Sequence, residues 1–288
     1  MGLQESLASG KFVVTSEIGP PKGTNIEEML RDAELLRGRV DGINVTDLQS
    51  SVMRLGSLSV CHLLKGKGLE PIFQMTCRDR NRLALQADLL NASVLGIKNV
   101  LALTGDYSSL GDHPQAKPVF DLDSVSLIGV IKKIEAGTDM VGNPLNGVPK
   151  FFVGAVVNPG GNPVEAQIIK MEKKIRAGAS FFQTQAVYDV GAFEKFMKRV
   201  TPFKVPVLAG IILLKSAGMA RFMNKNVAGV SVPEPLIQKM AKAEDRVKTS
   251  IEIAADLIKE LKGMGQGIHI MPIGWESKVP AVLDAAGL

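Results

Sequence analysis

Six apolar runs in this chain stop at, or pass through, side chains that can ionise or hydrogen-bond. Residues 12–17 end in Glu17, and 42–47 run through Thr46 to Asp47. Residues 70–76 carry Gln74 and Thr76, and 99–106 stop at Thr104, Gly105 and Asp106. Residues 151–158 end in Asn158, and 181–189 carry Gln185 before Asp189. Runs this apolar read as strands buried on both faces, as in a parallel sheet covered by helices. Polar groups just past the ends of such strands are where parallel α/β proteins place their chemistry. Glu17 and Asp106 have distinct expected roles. Glu17 follows apolar residues and precedes Ile18-Gly19-Pro20-Pro21, so it is expected in a partly dry setting, where burial favours the protonated form. A carboxylic acid of that kind can serve as a general acid. Asp106 lies on a glycine-containing loop and is expected to be ionised, either stabilising a cation or accepting hydrogen bonds from a heterocycle.

Other residues have simpler readings. Asp47 and Asp189 read as N-caps of the helices that follow. Lys174 falls in a helical segment, where a solvated lysine is the default. His62, His113 and His269 have no metal-ligand spacing, and Cys61 and Cys77 lack a CxxC partner, so both read as reduced thiols. No P-loop or G-x-S-x-G nucleophile elbow occurs. The set suits a polar, planar ligand better than a metal or a phosphoryl group.

Strand and helix patterns alternate along the chain to place these groups. Strands are expected at 12–17, 42–46, 71–76, 99–104, 151–158, 181–187, 205–213 and 267–273. Helices are expected at 25–37, 53–65, 80–92, 123–135, 163–177, 190–200, 218–224 and 276–286. A long helical stretch at 234–262 should be bent or split near Ala243, and a long loop covers 106–121. Eight strand–helix units over 288 residues predict a single-domain (β/α)8 barrel spanning 1–288. A doubly wound sheet would carry a glycine-rich phosphate loop after the first strand, where this chain has SEIGPPKG. In a barrel the strand ends converge, bringing Glu17, Thr46, Gln74, Thr76, Asp106, Asn158 and Gln185 to one mouth. The loop 157–163 lies on that face and the loop 137–149 on the opposite one.

The formal net charge is +5 and aromatics make up 5% of the residues. Lys and Arg are dispersed, which argues against a nucleic-acid surface. A modest positive field suits an anionic small molecule. The first residues lack the regions of a signal peptide, and the longest apolar run, 205–214, is too short to insert in a membrane. A soluble, cytoplasmic protein is expected.

Several segments together resemble the methylenetetrahydrofolate reductase family. They are SEIGPP (16–21), NVTD (44–47), QMTCRDR (74–80), ALTGD (102–106), KKIRAGASFFQTQAVYD (173–189) and AGII (209–212). The resemblance implies a barrel flavoprotein that reduces 5,10-methylenetetrahydrofolate to 5-methyltetrahydrofolate. By position, Glu17 matches the family's general acid, which protonates N10 of the folate so that the five-membered ring opens to a 5-iminium cation. Asp106 matches an aspartate near pterin and flavin whose charge favours that cation, and Gln185 a glutamine that binds the pterin. Thr46, Gln74, Thr104, Gly105, Asp106, Phe120, Asn158 and Lys174 fall at positions lining the flavin, which carries out the redox chemistry.

The chain also departs from the family pattern. Ile18-Gly19 replaces two aromatics, Gln74 a histidine, Asn158 and Asn162 a tyrosine and a histidine, and Gln167 an acidic flavin contact. FAD is the family default, with FMN the other flavin these changes leave open. After the seventh strand, residues 214–218 lack the phenylalanine that stacks on a nicotinamide. The stretch ILLKSAGMARFMN is similar to members of the acetogenic-bacterial type, which implies a flavin reduced through an iron–sulfur or zinc partner subunit of an electron-transfer complex. The competing readings are a non-redox pterin-binding barrel, of methyltransferase or synthase type, and a non-catalytic assembly subunit.

Overall fold

The computed structural model describes residues 2–288. Eight parallel strands close into a barrel in sequence order, β1 pairing with both β2 and β8. They are β1 (Val13–Ile18), β2 (Gly42–Val45), β3 (Pro71–Thr76), β4 (Asn99–Leu103), β5 (Phe152–Val157), β6 (Phe181–Ala186), β7 (Val207–Ile212) and β8 (Gly267–Met271). This is the expected (β/α)8 architecture; closure between β8 and β1 excludes the doubly wound alternative. The helices in chain order are α1 (Leu3–Ala8), α2 (Glu27–Leu35), α3 (Ser57–Gly66), α4 (Arg82–Val94), α5 (Ser124–Glu135), α6 (Val164–Ala177), α7 (Val190–Val200), α8 (Ala217–Asn226), α9 (Glu234–Ala241), α10 (Arg246–Leu261) and α11 (Val279–Ala286). The stretch 234–262 is split as expected: α9 ends at Ala241, and Asp245 caps α10 by accepting from the amides of Val247 and Lys248.

Helix α1 was not foreseen. Its Leu3 and Leu7 pack with Val13, Ile72, Leu101, Phe181 and Leu208, the inward residues nearest the amino ends of the strands. The short helix therefore plugs the bottom of the barrel, where six residues with two apolar side chains give little periodic signal. Helix α3 also starts later than expected, at Ser57, because Met53–Gly56 belong to the mouth loop.

Branched apolar side chains commonly fill barrel interiors in layers. Here the layer above the apolar plug is polar: Thr15, Asn44, Gln183 and His269 are each no more than 3% exposed. They satisfy one another. Asn44 Nδ2 donates to Gln183 Oε1 at 2.8 Å, and Gln183 Nε2 donates to Asn44 Oδ1 at 3.0 Å and Thr15 Oγ1 at 3.1 Å. A fully connected polar layer of this kind avoids the cost of unpaired buried groups.

Asp47 is not the helix cap expected of it. Its carboxylate is fully buried and takes a two-point contact from Arg80, at 2.7 and 3.1 Å, plus the amide and hydroxyl of Thr76, both at 2.9 Å. Burial alone would raise this carboxyl, but the hydrogen bonds and charge of Arg80, with Thr76, hold it below the usual range. Asp47 thus ties the end of β2 to β3 and to the start of α4. Asp189 does cap α7, accepting from the Ala192 amide at 2.9 Å.

Candidate active site at the carboxyl end of the barrel

One inward position above the polar layer, Glu17 lies next to the end of β1 at 9% exposure, the dry placement expected of it. Its Oε1 accepts from Gln74 Nε2 at 2.9 Å and lies 3.4 Å from His269 Nε2. His269 Nδ1 in turn sits 3.0 Å from Thr15 Oγ1. The sequence reading weighed His269 only as a metal ligand. The signal it missed is register: β8 pairs with β1 so that His269 stands opposite Thr15, one inward position below Glu17. The hydroxyl of Thr15 also reaches the Ile268 carbonyl at 3.4 Å. When it donates to His269 Nδ1, the imidazole carries its proton on Nε2 and donates to an ionised Glu17. When it donates to Ile268, Nδ1 carries the proton and a bare Nε2 faces Glu17, an arrangement suited to a protonated carboxyl. Thr15 can therefore partner either tautomer of His269, and the one protonated on Nε2 can donate to Glu17 Oε1.

Two cavities open at the mouth. The first, about 390 Å³, has Glu17 and Thr46 in its wall and runs outward between the β1 and β8 loops. Thr46 is 2% exposed, and its Oγ1 has no partner among the described residues. The second, about 430 Å³, is lined by Thr104, Gly105, Tyr107, Phe120 and the start of α5. Gly105 has φ +96°, and a Cβ there would press on Arg78 and Thr76 at 3.1 and 3.2 Å. Glycine is required both for that backbone and for that close approach. Phe120 packs edge-on against Tyr107 at 5.7 Å between ring centroids.

Asp106 is exposed and follows Gly105 on the loop after β4. Its backbone carbonyl is held by Arg78 Nη1 at 3.3 Å and Ser51 Oγ at 3.3 Å. Arg78 is 2% exposed and also reaches the Leu48 carbonyl at 3.2 Å, so one buried guanidinium fastens the loops after β2, β3 and β4. Sequence reading quoted Arg78 in a motif but gave it no role. Gln185 sits on a bulge where the register between β6 and β7 shifts. Bulges of this kind re-aim side chains beside active sites. Asn158, at the end of β5, donates to the Ala228 carbonyl at 2.8 Å, and its Oδ1 has no partner among the described residues.

Lys174 departs from its default. Rather than extending into solvent, it is 8% exposed and donates to the Val156 carbonyl at 2.7 Å. Burial, with Lys170 nearby, lowers its pKa to about 8. In the unfolded chain the ordinary lysine holds its proton further up the pH scale, so stability should rise between about pH 8 and 10.5. Lys174→Met removes that term. Urea unfolding of the cofactor-free chain is expected to show the wild type gaining on the variant across this window; parallel pH profiles would contradict it.

Thus Glu17 and Thr46 line one cavity, with Gln74 bonded to Glu17, while Thr104, Gly105 and Phe120 line the other and Asp106 follows Gly105 outside both linings. Gln185, Asn158 and Lys174 sit on the β5–β6 side, outside both cavity linings.

The sequence model of the methylenetetrahydrofolate reductase family matches residues 2–287, and the chain belongs to that family. Methylenetetrahydrofolate reductase 2 of Schizosaccharomyces pombe is 26% identical over 320 aligned residues, covering 99% of this chain and 47% of that protein. The chain thus spans about half the length of that relative. The 5,10-methylenetetrahydrofolate reductase of Salmonella typhimurium is 25% identical, covering 91% of this chain and 87% of that one. Among solved structures, an uncharacterized protein from Clostridium thermocellum that binds two copies of 5-methyl-5,6,7,8-tetrahydrofolic acid superposes with TM-score 0.65. It shares 19% identity and covers 99% of this chain and 97% of that one. A 2,3-dimethylmalate lyase superposes at TM-score 0.55 with 12% identity, covering 99% of this chain and 84% of that one. Fold likeness at such identity does not specify chemistry.

Proposed function

We propose that this member of the methylenetetrahydrofolate reductase family is a cytoplasmic, single-barrel flavoenzyme that reduces 5,10-methylenetetrahydrofolate to 5-methyltetrahydrofolate. The observation that carries the reading is Glu17: a buried carboxyl at the carboxyl end of the barrel, bonded to Gln74 and facing His269. In this reading Glu17 gives its proton to N10 of the folate as the bridge opens, and Gln74 Nε2, with His269 Nε2 beside it, holds the carboxylate left behind. Exposed Asp106 places negative charge where the substrate becomes cationic. Gln185 offers its amide to the pterin.

The residues present fit a flavin nucleotide. Gly105 keeps the wall of the second cavity free of a side chain and Phe120 gives it an aromatic surface, while the buried Oδ1 of Asn158, without a partner among the described residues, lies beside Gly229 outside that cavity. Gln74 and Thr104 complete the polar positions, and Lys174 sets a positive charge under β5. When bound, the flavin supplies the two-electron transfer to the one-carbon unit that no side chain here can perform. FAD is the default form, and mass spectrometry of the released nucleotide distinguishes it from FMN.

In this proposal electrons reach the flavin from an electron-transfer complex docked through a partner subunit of iron–sulfur or zinc type, because residues 214–218 present no aromatic side chain for a nicotinamide. The test is anaerobic: the flavin-loaded chain, reduced by dithionite or offered NADH, is mixed with 5,10-methylenetetrahydrofolate. Formation of 5-methyltetrahydrofolate with dithionite but not NADH is expected. Product with NADH alone would overturn the partner; folate recovered unchanged after dithionite would overturn the reductase.

A further inference from the structure

The first cavity does more than expose Glu17. Besides Glu17 and Thr46 it is lined by Asn25, Gln49 and Arg54 and by carboxylates on two different elements. Glu28 and Asp32 come from α2, and Glu276 from the 3-10 turn Glu276–Lys278 after β8. Resting on the reductase reading, the proton balance gives this path a use. Opening the bridge breaks the bond between the methylene carbon and N10; N10 keeps the electron pair and takes the proton of Glu17. The methylene carbon gains two electrons and a hydrogen from the reduced flavin, and the product is the methyl group. Each turnover therefore leaves Glu17 one proton short, and that proton must come from water.

Two of the three directions around Glu17 are closed. Below it lies the buried layer of Thr15, Asn44, Gln183 and His269, sealed by the apolar plug of α1. Above it, folate and flavin cover the mouth during turnover. The side cavity is the third direction. We propose that it is the proton-entry path to Glu17, with Asp32 and Glu276 as the groups that collect protons at its outer end.

Three observations support the path independently of the acidic residues. At about 390 Å³ the cavity has room for a chain of waters, each occupying about 30 Å³ in the liquid. The buried Thr46 hydroxyl, unpartnered among the described residues, lines it at the Glu17 end. Arg54 donates to the Pro20 carbonyl at 3.1 Å and holds the cavity wall. At the outer end, burial raises the carboxyl of Asp32, with Glu28 adding to the rise and Arg31 and Lys278 opposing it. Burial likewise raises Glu276, against hydrogen bonds from its own and the Gly274 amide, with Asp32 adding to the rise and Lys215 opposing it. Both groups therefore hold a proton at higher pH than a free carboxylate does, as collectors should.

The test compares wild type with the Asp32→Asn/Glu276→Gln double variant, using dithionite-reduced, flavin-loaded protein and 5,10-methylenetetrahydrofolate. The variant is expected to lose roughly tenfold in kcat with KM unchanged. It should also show a larger solvent deuterium effect, an alkaline limb moved to lower pH, and recovery of rate as acetic acid or imidazole buffer is raised. Asn25→Phe, which narrows the cavity without removing a carboxylate, should lower kcat in the same way, but bulky buffers should not rescue it. If wild type turns over and both variants match it in kcat, isotope effect and buffer dependence, the entry path is overturned. A lower kcat that no small acid restores would also overturn it, by marking the effect as structural. A wild type that makes no product would instead remove the reductase reading on which the path rests.

Discussion

Glu17→Gln is expected to leave flavin and folate bound and to cut folate reduction on the order of 10²-fold or more. Glutamine has the same shape and can still meet Gln74 and His269, so the polar layer beneath it is not left with an unpaired partner. What it lacks is a proton to give N10. The loss should therefore fall on kcat, with KM for folate and the flavin dissociation constant close to wild type. Thr15→Val gives a milder companion, because it removes the hydroxyl that partners His269 Nδ1 while leaving the acid in place. A Glu17→Gln enzyme of near wild-type rate would remove Glu17 from the mechanism.

The largest stability effect is expected at Asp47. Asp47→Asn leaves Arg80 and the amide and hydroxyl of Thr76 facing a group that can no longer take them all, inside a fully buried site. Leaving a buried charge wholly uncompensated costs about 3–5 kcal/mol; Arg80 keeps Asp88 at 2.9 Å, so the loss should fall at or below the lower end of that range, still a large share of a domain's typical stability of about 5–15 kcal/mol. The pH dependence has a definite sign. Because Asp47 is held below its ordinary value in the fold, its contribution is present above the unfolded pKa of about 3.9 and is lost as pH falls through the folded value. The difference in unfolding free energy between wild type and variant should thus be largest near neutrality and shrink in acid. Equal urea midpoints at pH 7 would contradict the role given to this pair.

The sequence reading of Asp47 as a cap failed for a reason that separates legible from illegible features here. A strand-end aspartate before a helix has a local explanation, and the partner that overrides it, Arg80, comes from the next strand–helix unit. Asp189, whose partner is three residues away, was read correctly. The same division holds elsewhere. Eight strands were readable because burial on both faces makes each a continuous apolar run. The mouth position of Glu17 and Asp106 follows from strand ends converging in a barrel. His269, Arg78 and the polar layer were not readable, since each acts through residues on strands far apart in sequence. Lys174 shows the converse limit, because nothing in its own helical pattern marks it as the lysine that turns inward to the Val156 carbonyl.

The central claim, that the folate half-reaction resides in this chain, is tested most directly by anaerobic absorbance. The purified chain is loaded with flavin, and 5-methyltetrahydrofolate is added with no other donor present. The account predicts that the flavin band bleaches with wild type and bleaches far more slowly with Glu17→Gln. An oxidised spectrum that stays unchanged, with flavin demonstrably bound, would contradict it and leave a pterin-binding barrel without redox chemistry.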